Sequence, residues 1–188
     1  MHALRRLSLK NATEDLHREL DDRVAALDLA EPEHYRLFLQ ASAAALIPIE
    51  AMLERSGVQQ LLPDWDRRSR RAALLHDLQR FDAQPDALQL NRGAPSPGEM
   101  FGMLYVLEGS RMDARVLLDR AQSAVDPRIR EASAFLGASD PALWRSFVDR
   151  LESSEQAADQ QLTTAGAIYT FALFQRSFEQ KLPPAPMH

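Results

Sequence analysis

The sequence predicts an all-α protein of about seven helices that form a single domain over residues 1–188. Three observations support this fold class. Apolar residues recur at helical spacing along most of the chain. No segment shows the apolar–polar alternation with β-branched residues that is typical of strands. The chain has 188 residues, of which 45% are hydrophobic and 26% charged, and these values suit one well-filled core.

The first predicted helix runs from about Asn11 to Leu27. Four apolar residues within it fall at three- and four-residue intervals and so share one face: Leu16, Leu20, Val24 and Leu27. Residues 1–9 precede this pattern, and we expect them to be frayed.

The second helix begins near Pro32, because proline suits the first helical turn, and continues to about Arg55, where Gly57 can end it. A third helix spans roughly Asp66 to Phe81. Its charge run, "RRSRR", predicts a solvated face and not a binding patch. The next segment, "DAQPDALQLNRGAPSPG", is rich in proline and glycine and predicts a loop.

Four further helical segments complete the chain. The fourth runs from about Glu99 to Ala124, and "DPRIREASAFLG" predicts a short fifth helix. In "DPALWRSFVDRLE", Asp140 is placed to cap a sixth helix whose first residue is Pro141. The seventh covers "SEQAADQQLTTAGAIYTFALFQRSFEQ", and we expect the tail, 182–188, to fray.

Composition narrows the classes of function. The sequence contains no cysteine, which excludes disulfides, thiolate chemistry and iron–sulfur ligation, so that any metal must be held by nitrogen or oxygen. A net charge of −5 argues against a nucleic-acid partner, although local arginines could hold a small anion. The longest apolar stretch, Ala41 to Ile49, is too short to cross a bilayer. We therefore expect a cytoplasmic protein with no membrane partner.

Three histidines lie within the predicted helices. His34 and His76 have charged neighbours and are interpreted as surface residues, whereas His17 lies at the margin of the apolar face of the first helix. Spacing alone favours a structural role for His17. Two Glu-x-x-His pairs, Glu14/His17 and Glu31/His34, have the spacing found in di-iron bundles, but the second pair starts a helix and would lie at a bundle end. A di-iron centre is therefore the weaker interpretation.

Two glycines interrupt the predicted fourth helix. Gly102 and Gly109 each cost roughly 1 kcal/mol relative to alanine in a helix, which indicates that something approaches the backbone closely. Asp113 follows Gly109 by four residues and so projects from the same face, with exposure to solvent as the alternative. If it enters a pocket, a nearby Arg111 or Arg115 would favour its charged form.

Several segments resemble the heme oxygenase family. The segment "NATEDLHRELDD" resembles the one that carries the iron-binding histidine, with a threonine four residues before it, and "HYRLFLQ" resembles the start of the second helix. "LYVLEGSRMDARVL" is similar to the distal helix of bacterial members. "LWRSFVDRLE" and "AGAIYTFALFQRSFEQ" resemble the last two helices. The resemblance implies a heme-oxygenase-like helical bundle, in agreement with the seven predicted helices.

The resemblance also implies roles for particular residues. His17 matches the ligand that binds heme iron, and Glu14, one turn earlier, is expected to orient its ring. Lys10 and Arg145 match positions that meet the heme propionates. Gly109 matches a distal glycine that lets the helix backbone lie against the porphyrin.

The implied activity is oxidative cleavage of heme to biliverdin, carbon monoxide and ferrous iron. Heme is then both cofactor and substrate, and a redox partner such as a ferredoxin or a reductase supplies electrons. Gly109, Ser110 and Asp113 are the expected catalytic positions. Bacterial members commonly continue "GSxLGG", whereas this chain has "GSRMDA", with Asp113 and Ala114 in place of two glycines. Three classes therefore stay open: an active oxygenase, a heme-binding or heme-sensing homologue with little turnover, and a di-iron oxidase on a related scaffold.

Overall fold

The computed structural model describes residues 4–182, in which helices joined by loops make up the fold and no strand occurs. The helices are α1 (Leu4–Ala25), α2 (Pro32–Arg55), α3 (Val58–Leu61), α4 (Trp65–Arg68), α5 (Arg71–Gln79), α6 (Pro97–Gln122), α7 (Pro127–Glu131), α8 (Ala134–Gly137), α9 (Pro141–Ser153) and α10 (Gln160–Lys181), with a 3₁₀ turn (Glu155–Ala157) before the last. Each predicted segment contains helix, and the all-α class is confirmed.

Helix α1 starts earlier than the sequence predicts. Residues 4–9, which were expected to be frayed, are helical, and Leu9 is 1% exposed in the core. The Arg5 guanidinium also donates to two backbone carbonyls at the end of α9, those of Leu151 at 2.8 Å and Ser154 at 2.6 Å. These long-range contacts, which a local pattern cannot show, order the segment. Residues 1–3 and 183–188, also expected to fray, lie outside the described residues.

The predicted third helix is divided in two at Ser69 and Arg70. The buried carboxylate of Glu50, on α2, accepts a hydrogen bond from the Ser69 hydroxyl at 2.6 Å and from the backbone N–H groups of Arg70 and Arg71 at 2.8 and 3.2 Å. These are the N–H groups that the start of a helix leaves without an internal partner. Glu50 thus fixes the turn between α4 and α5.

The run "RRSRR" is not the solvated face that its charge predicts. Arg67 has a side chain that is 71% exposed, but Arg68 and Arg70 are buried. The Arg68 guanidinium donates to the buried Glu108 carboxylate of α6 at 2.7 Å, and Arg111 donates to the other Glu108 oxygen at 3.1 Å. Paired charges can be buried where unpaired ones cannot. The interpretation was wrong for two of the arginines because their partners are distant in sequence.

Pro48 connects α2 to the long loop between α5 and α6. Proline has no N–H, so the carbonyl of Ala44, four residues earlier, loses its partner within the helix. That carbonyl instead accepts a hydrogen bond from the backbone N–H of Leu88 at 2.8 Å. The loop is thereby held against the core, where Leu88 is buried.

Helices α6 and α10 form the most extensive contact between helices, and α1 and α2 both pack against α10. The two helices meet at a pair of glycines. A Cβ on Gly102 would overlap the backbone carbonyl oxygen of Thr163, and a Cβ on Gly166 would overlap that of Glu99. The close packing of α6 against α10 therefore explains why residue 102 is a glycine.

Helix α2 is the one helix within residues 4–182 that is long and apolar enough to cross a membrane by those two criteria. Within its apolar stretch, however, 67% of the residues are buried by the rest of the protein. Its alanine-rich centre, residues 41–46, is packed in the core. The helix has the character of a core helix.

We predict that Gly102→Ala lowers the free energy of unfolding by about 3 kcal/mol, the upper part of the range for overpacking a core. The added methyl group would meet backbone atoms of α10, which cannot move aside without separating the helices. Gly109→Ala, on the same helix, is the matched control, because a Cβ there lies 3.8 Å from its nearest neighbour, an ordinary contact. Urea unfolding of both variants makes the comparison, and equal losses would refute the assignment.

Candidate functional site

A cleft of about 540 Å³ lies between α1, α6 and α10. Its walls are mainly apolar and include several aromatic side chains: Phe38, Phe135, Trp144, Phe171, Phe174 and Phe178. The volume is in the usual range for small-molecule sites. On the α6 wall, Met112 and Val116 are exposed, with 47% and 58% of their surface accessible. A cleft of this kind suits a largely apolar ligand.

His17 projects from α1 into this cleft. Its side chain is 48% exposed, and its ring centre lies 5.7 Å from that of Phe171. The Nε2 atom lies 3.3 Å from Oδ2 of Asp113 and 3.5 Å from Oδ2 of Asp21. The hydrogen bond to Asp113 raises the pKa of His17; partial burial opposes this, and the charges of both carboxylates add to it.

The distal carboxylate, Asp113, lines the cleft from α6, on the face that the sequence predicts for it. Asp21 was missed at the sequence level, although it lies one helical turn after His17 and therefore on the same face of α1. Partial burial raises the pKa of Asp21, while His17 lowers it. Neither arginine expected near Asp113 is seen there: Arg111 is buried and donates to the Ala138 carbonyl at 2.8 Å, and Arg115 is an exposed residue outside the lining.

Gly109 forms part of the α6 wall, and the protein itself does not require a glycine there. A Cβ at this position would lie 3.8 Å from the Trp144 ring, which is ordinary contact. Without a side chain at Gly109, the backbone of α6 itself forms this part of the cleft wall. Ser110, the next residue, has its hydroxyl engaged: it donates to the Leu107 carbonyl at 2.8 Å and accepts from Arg70 at 2.8 Å.

Arg70 is a cleft residue that the sequence analysis missed. Its buried guanidinium donates to the Leu107 carbonyl at 2.9 Å and lies 5.1 Å from the centre of the Phe135 ring. Burial lowers the pKa of Arg70 to about 10, so it is positively charged at neutral pH. The Ser69–Arg70 break turns this residue inward, and no local signal in "RRSRR" distinguishes it from its neighbours.

Cationic side chains lie at the cleft as well. Lys10, which the resemblance matches to a propionate position, lines it one helical turn after Arg6, which also lines it. Arg120 contributes a third cation from the end of α6. These groups can bind carboxylates at the edge of a ligand whose body contacts the apolar walls.

Two expected site residues are not brought to the cleft. Arg145 is exposed on α9 and is outside the lining, whereas its neighbour Trp144 forms part of the wall. Glu14 is exposed on α1, and the His17 ring contacts Asp21 and Asp113 instead. For Arg145, one residue of helical rotation separates the expected position from the wall of the cleft.

The two Glu-x-x-His pairs do not form a common site. His34 lies at the start of α2, is partly exposed, and accepts a hydrogen bond from the backbone N–H of Asp28 at 3.2 Å. Among residues 4–182, one group of three histidine and carboxylate side chains is close enough to share a metal ion, namely His17, Asp21 and Asp113. The cleft thus offers one imidazole, apolar walls and peripheral cations, which fits a heme bound through His17.

The chain is similar to known proteins along most of its length. A family model described as heme oxygenase matches residues 5–180. A heme oxygenase of Xanthomonas campestris pv. campestris (strain 8004) is 37% identical over 113 residues, which are 58% of this chain and 67% of that protein. The heme oxygenase of Neisseria meningitidis, solved in NO- and CO-bound forms, has the same fold, with a TM-score of 0.71, 18% identity and 96% of each chain covered. The chain belongs to the heme oxygenase family.

Proposed function

We propose that this protein is a heme oxygenase that binds one heme in the cleft and cleaves it to biliverdin, carbon monoxide and ferrous iron. The observation that carries the proposal is the half-exposed imidazole of His17 inside a mainly apolar cleft. Across the cleft, the absence of a side chain at Gly109 leaves the backbone of α6 open to a ligand. Family membership over residues 5–180 supports the same activity.

The proximal side of the cleft supplies the groups that would hold the heme. His17 binds the iron through Nε2, the atom that faces the cleft, and needs a neutral ring to do so. Phe171 and the other aromatic residues of the wall contact the porphyrin. Lys10 and Arg6, from the same helix as His17, bind the propionates through charge-assisted hydrogen bonds.

Bound heme would supply the iron at which oxygen is activated and the carbon that is oxidised. The distal residues shape the space in which this occurs. Gly109 lets the α6 backbone approach the porphyrin, and Ser110, bonded to Leu107 and Arg70, holds a buried positive charge at the cleft wall. Glu14 and Arg145 have no part in this arrangement.

A heme-binding homologue with little turnover is the second candidate, and Asp113 is the observation that favours it. Its Oδ2 lies 3.3 Å from Nε2 of His17, so the carboxylate lies where an iron bound to that nitrogen would be. Binding of heme requires Asp113 to move away. A carboxylate that stayed near bound heme would hinder the oxygen chemistry that the heme supplies and so slow turnover.

We propose that an external electron donor, such as a ferredoxin or a reductase, supplies the electrons, because the chain has no cysteine with which to hold an iron–sulfur centre of its own. The expected location is the cytoplasm, where such donors occur.

We predict that His17→Ala abolishes normal axial coordination of added hemin, since no other histidine of the described chain lines the cleft. Apolar contacts will retain some porphyrin. The absorption spectrum of the hemin complex is the measurement, and His34→Ala, which removes a histidine far from the cleft, is the control. An unchanged iron spectrum in His17→Ala would rule out this ligand.

We predict that Lys10→Ala or Arg6→Ala alters the ratio of biliverdin isomers or weakens heme binding. Loss of a hydrogen bond to a charged group costs about 1.5–3 kcal/mol, enough to permit a second orientation of the heme in its plane. Arg145→Ala removes a cation outside the lining and should change neither quantity. Product analysis by chromatography tests all three variants, and an effect confined to Arg145→Ala would reverse the assignment.

We predict that Asp113→Gly shifts the ferric heme spectrum and accelerates biliverdin formation, because it removes the carboxylate from the distal space. Asp119→Gly is the matched control: it places the same residue in the same helix at an exposed position outside the cleft. Spectra and reductant-driven rates are measured for both. If Asp113→Gly equals the parent in both respects, the carboxylate does not limit turnover.

A further inference from the structure

Three possible metal ligands converge at one point of the cleft. His17 Nε2 faces Oδ2 of Asp21 at 3.5 Å and Oδ2 of Asp113 at 3.3 Å. This nitrogen can carry one proton and so donates to one carboxylate at a time. The second carboxylate then receives no hydrogen bond from the imidazole and lies close to the negative charge of the first. A single cation would satisfy all three groups.

We propose that His17, Asp21 and Asp113, which we call the carboxylate–histidine cluster, bind one divalent transition-metal ion. Imidazole and carboxylate donors without sulfur suit Fe²⁺, Co²⁺ or Zn²⁺. Two carboxylates and a neutral imidazole balance the charge of such an ion.

The separations are close to those of a bound ion. Ligand atoms about 2.1 Å from a tetrahedral metal lie about 3.4 Å from one another. Both measured separations from Nε2 are within 0.1 Å of this value, and the three atoms all lie within 4.8 Å of one another. The side chains of Asp21 and Asp113 are 58% and 53% exposed, so rotation of either can shorten the remaining separation.

The cluster joins opposite walls of the cleft. His17 and Asp21 are four residues apart on α1, the spacing by which helices present paired metal ligands, and Asp113 comes from α6. The same nitrogen, Nε2, cannot bind this ion and heme iron together. The partial exposure of all three side chains leaves the remaining coordination positions to water, which allows the ion to exchange.

Resting on the proposed function, we infer that the ion taken by the cluster is the ferrous product of heme cleavage. Iron is released beside His17, and the oxygens of Asp21 and Asp113 replace the nitrogens of the opened tetrapyrrole as ligands. Protons from water replace Fe²⁺ on the tetrapyrrole nitrogens as the ion leaves, and no electron is transferred in the exchange. The cluster then holds iron until water or a chelator removes it.

Titration of the heme-free protein with Co²⁺, followed by visible absorption, tests the metal site. We expect one Co²⁺ per chain, displaced by Zn²⁺ and competing with hemin. Asp21→Asn should weaken Co²⁺ binding by about tenfold or more, since even groups that only orient a ligand change metal affinity this much. Asp22→Asn, an exposed neighbour outside the cluster, is the matched control. Thermal unfolding of both variants verifies that they are folded.

Equal Co²⁺ affinity in the parent, Asp21→Asn and His17→Ala would overturn the site. Hemin binding separates this result from failure of the proposed function. A protein that binds hemin but no Co²⁺ refutes the cluster and leaves the heme oxygenase activity standing. A protein that binds Co²⁺ but no hemin refutes the heme oxygenase activity, and with it the role in holding product iron, but leaves the metal site standing. After a single turnover, capture of Fe²⁺ by ferrozine should lag behind biliverdin formation in the parent and the Asp22→Asn control, and the lag should shorten in Asp21→Asn. An equal lag in all three would refute the role in holding product iron.

Discussion

The close crossing of α6 and α10 is the constraint on which the cleft depends. At Gly102 and Gly166 the two backbones are so near that neither position can hold a Cβ. Because α10 also packs against α1 and α2, this contact fixes α6 relative to the helix that carries His17. Two turns further along α6, Gly109 meets no such backbone. The two glycines of α6 thus have different roles. Gly102 allows α6 to pack closely against α10, and Gly109 leaves the backbone of α6 exposed in the wall of the cleft.

Much of the fold could be predicted from local patterns because helix ends in this chain carry clear signals. Asp140 accepts a hydrogen bond from the backbone N–H of Ala142 at 2.8 Å, which is the capping role its position predicts. The division at Ser69 could not be predicted in this way, since Glu50 lies nineteen residues earlier and on another helix. Order in the first residues of α1 likewise comes from contacts of Arg5 with the distant α9.

Site residues could be predicted where the family resemblance identifies the position and helical spacing indicates the direction in which the side chain projects. His17, Lys10 and Asp113, the positions named in this way, line the cleft. Arg145 does not, because a resemblance in sequence does not fix the rotation of α9 about its axis. Arg70 could not be predicted for a different reason. In a run of charged residues, the sequence does not distinguish a buried arginine from a solvated one, because the difference lies in hydrogen-bond partners that are distant in sequence, such as Ser110.

The exposed thioether of Met112 on the distal wall has a consequence for the lifetime of the protein. The sequence has no cysteine to react with stray oxidants, and the other methionines within residues 4–182, Met52, Met100 and Met103, are at most 5% exposed. Among the methionines within residues 4–182, Met112 is therefore the one that an oxidant escaping from the cleft would convert to its sulfoxide first. This polar group would stand where an apolar wall is needed. Oxidative damage would thus begin at the wall of the cleft and leave the buried methionines of the core intact. A methionine sulfoxide reductase could reverse it.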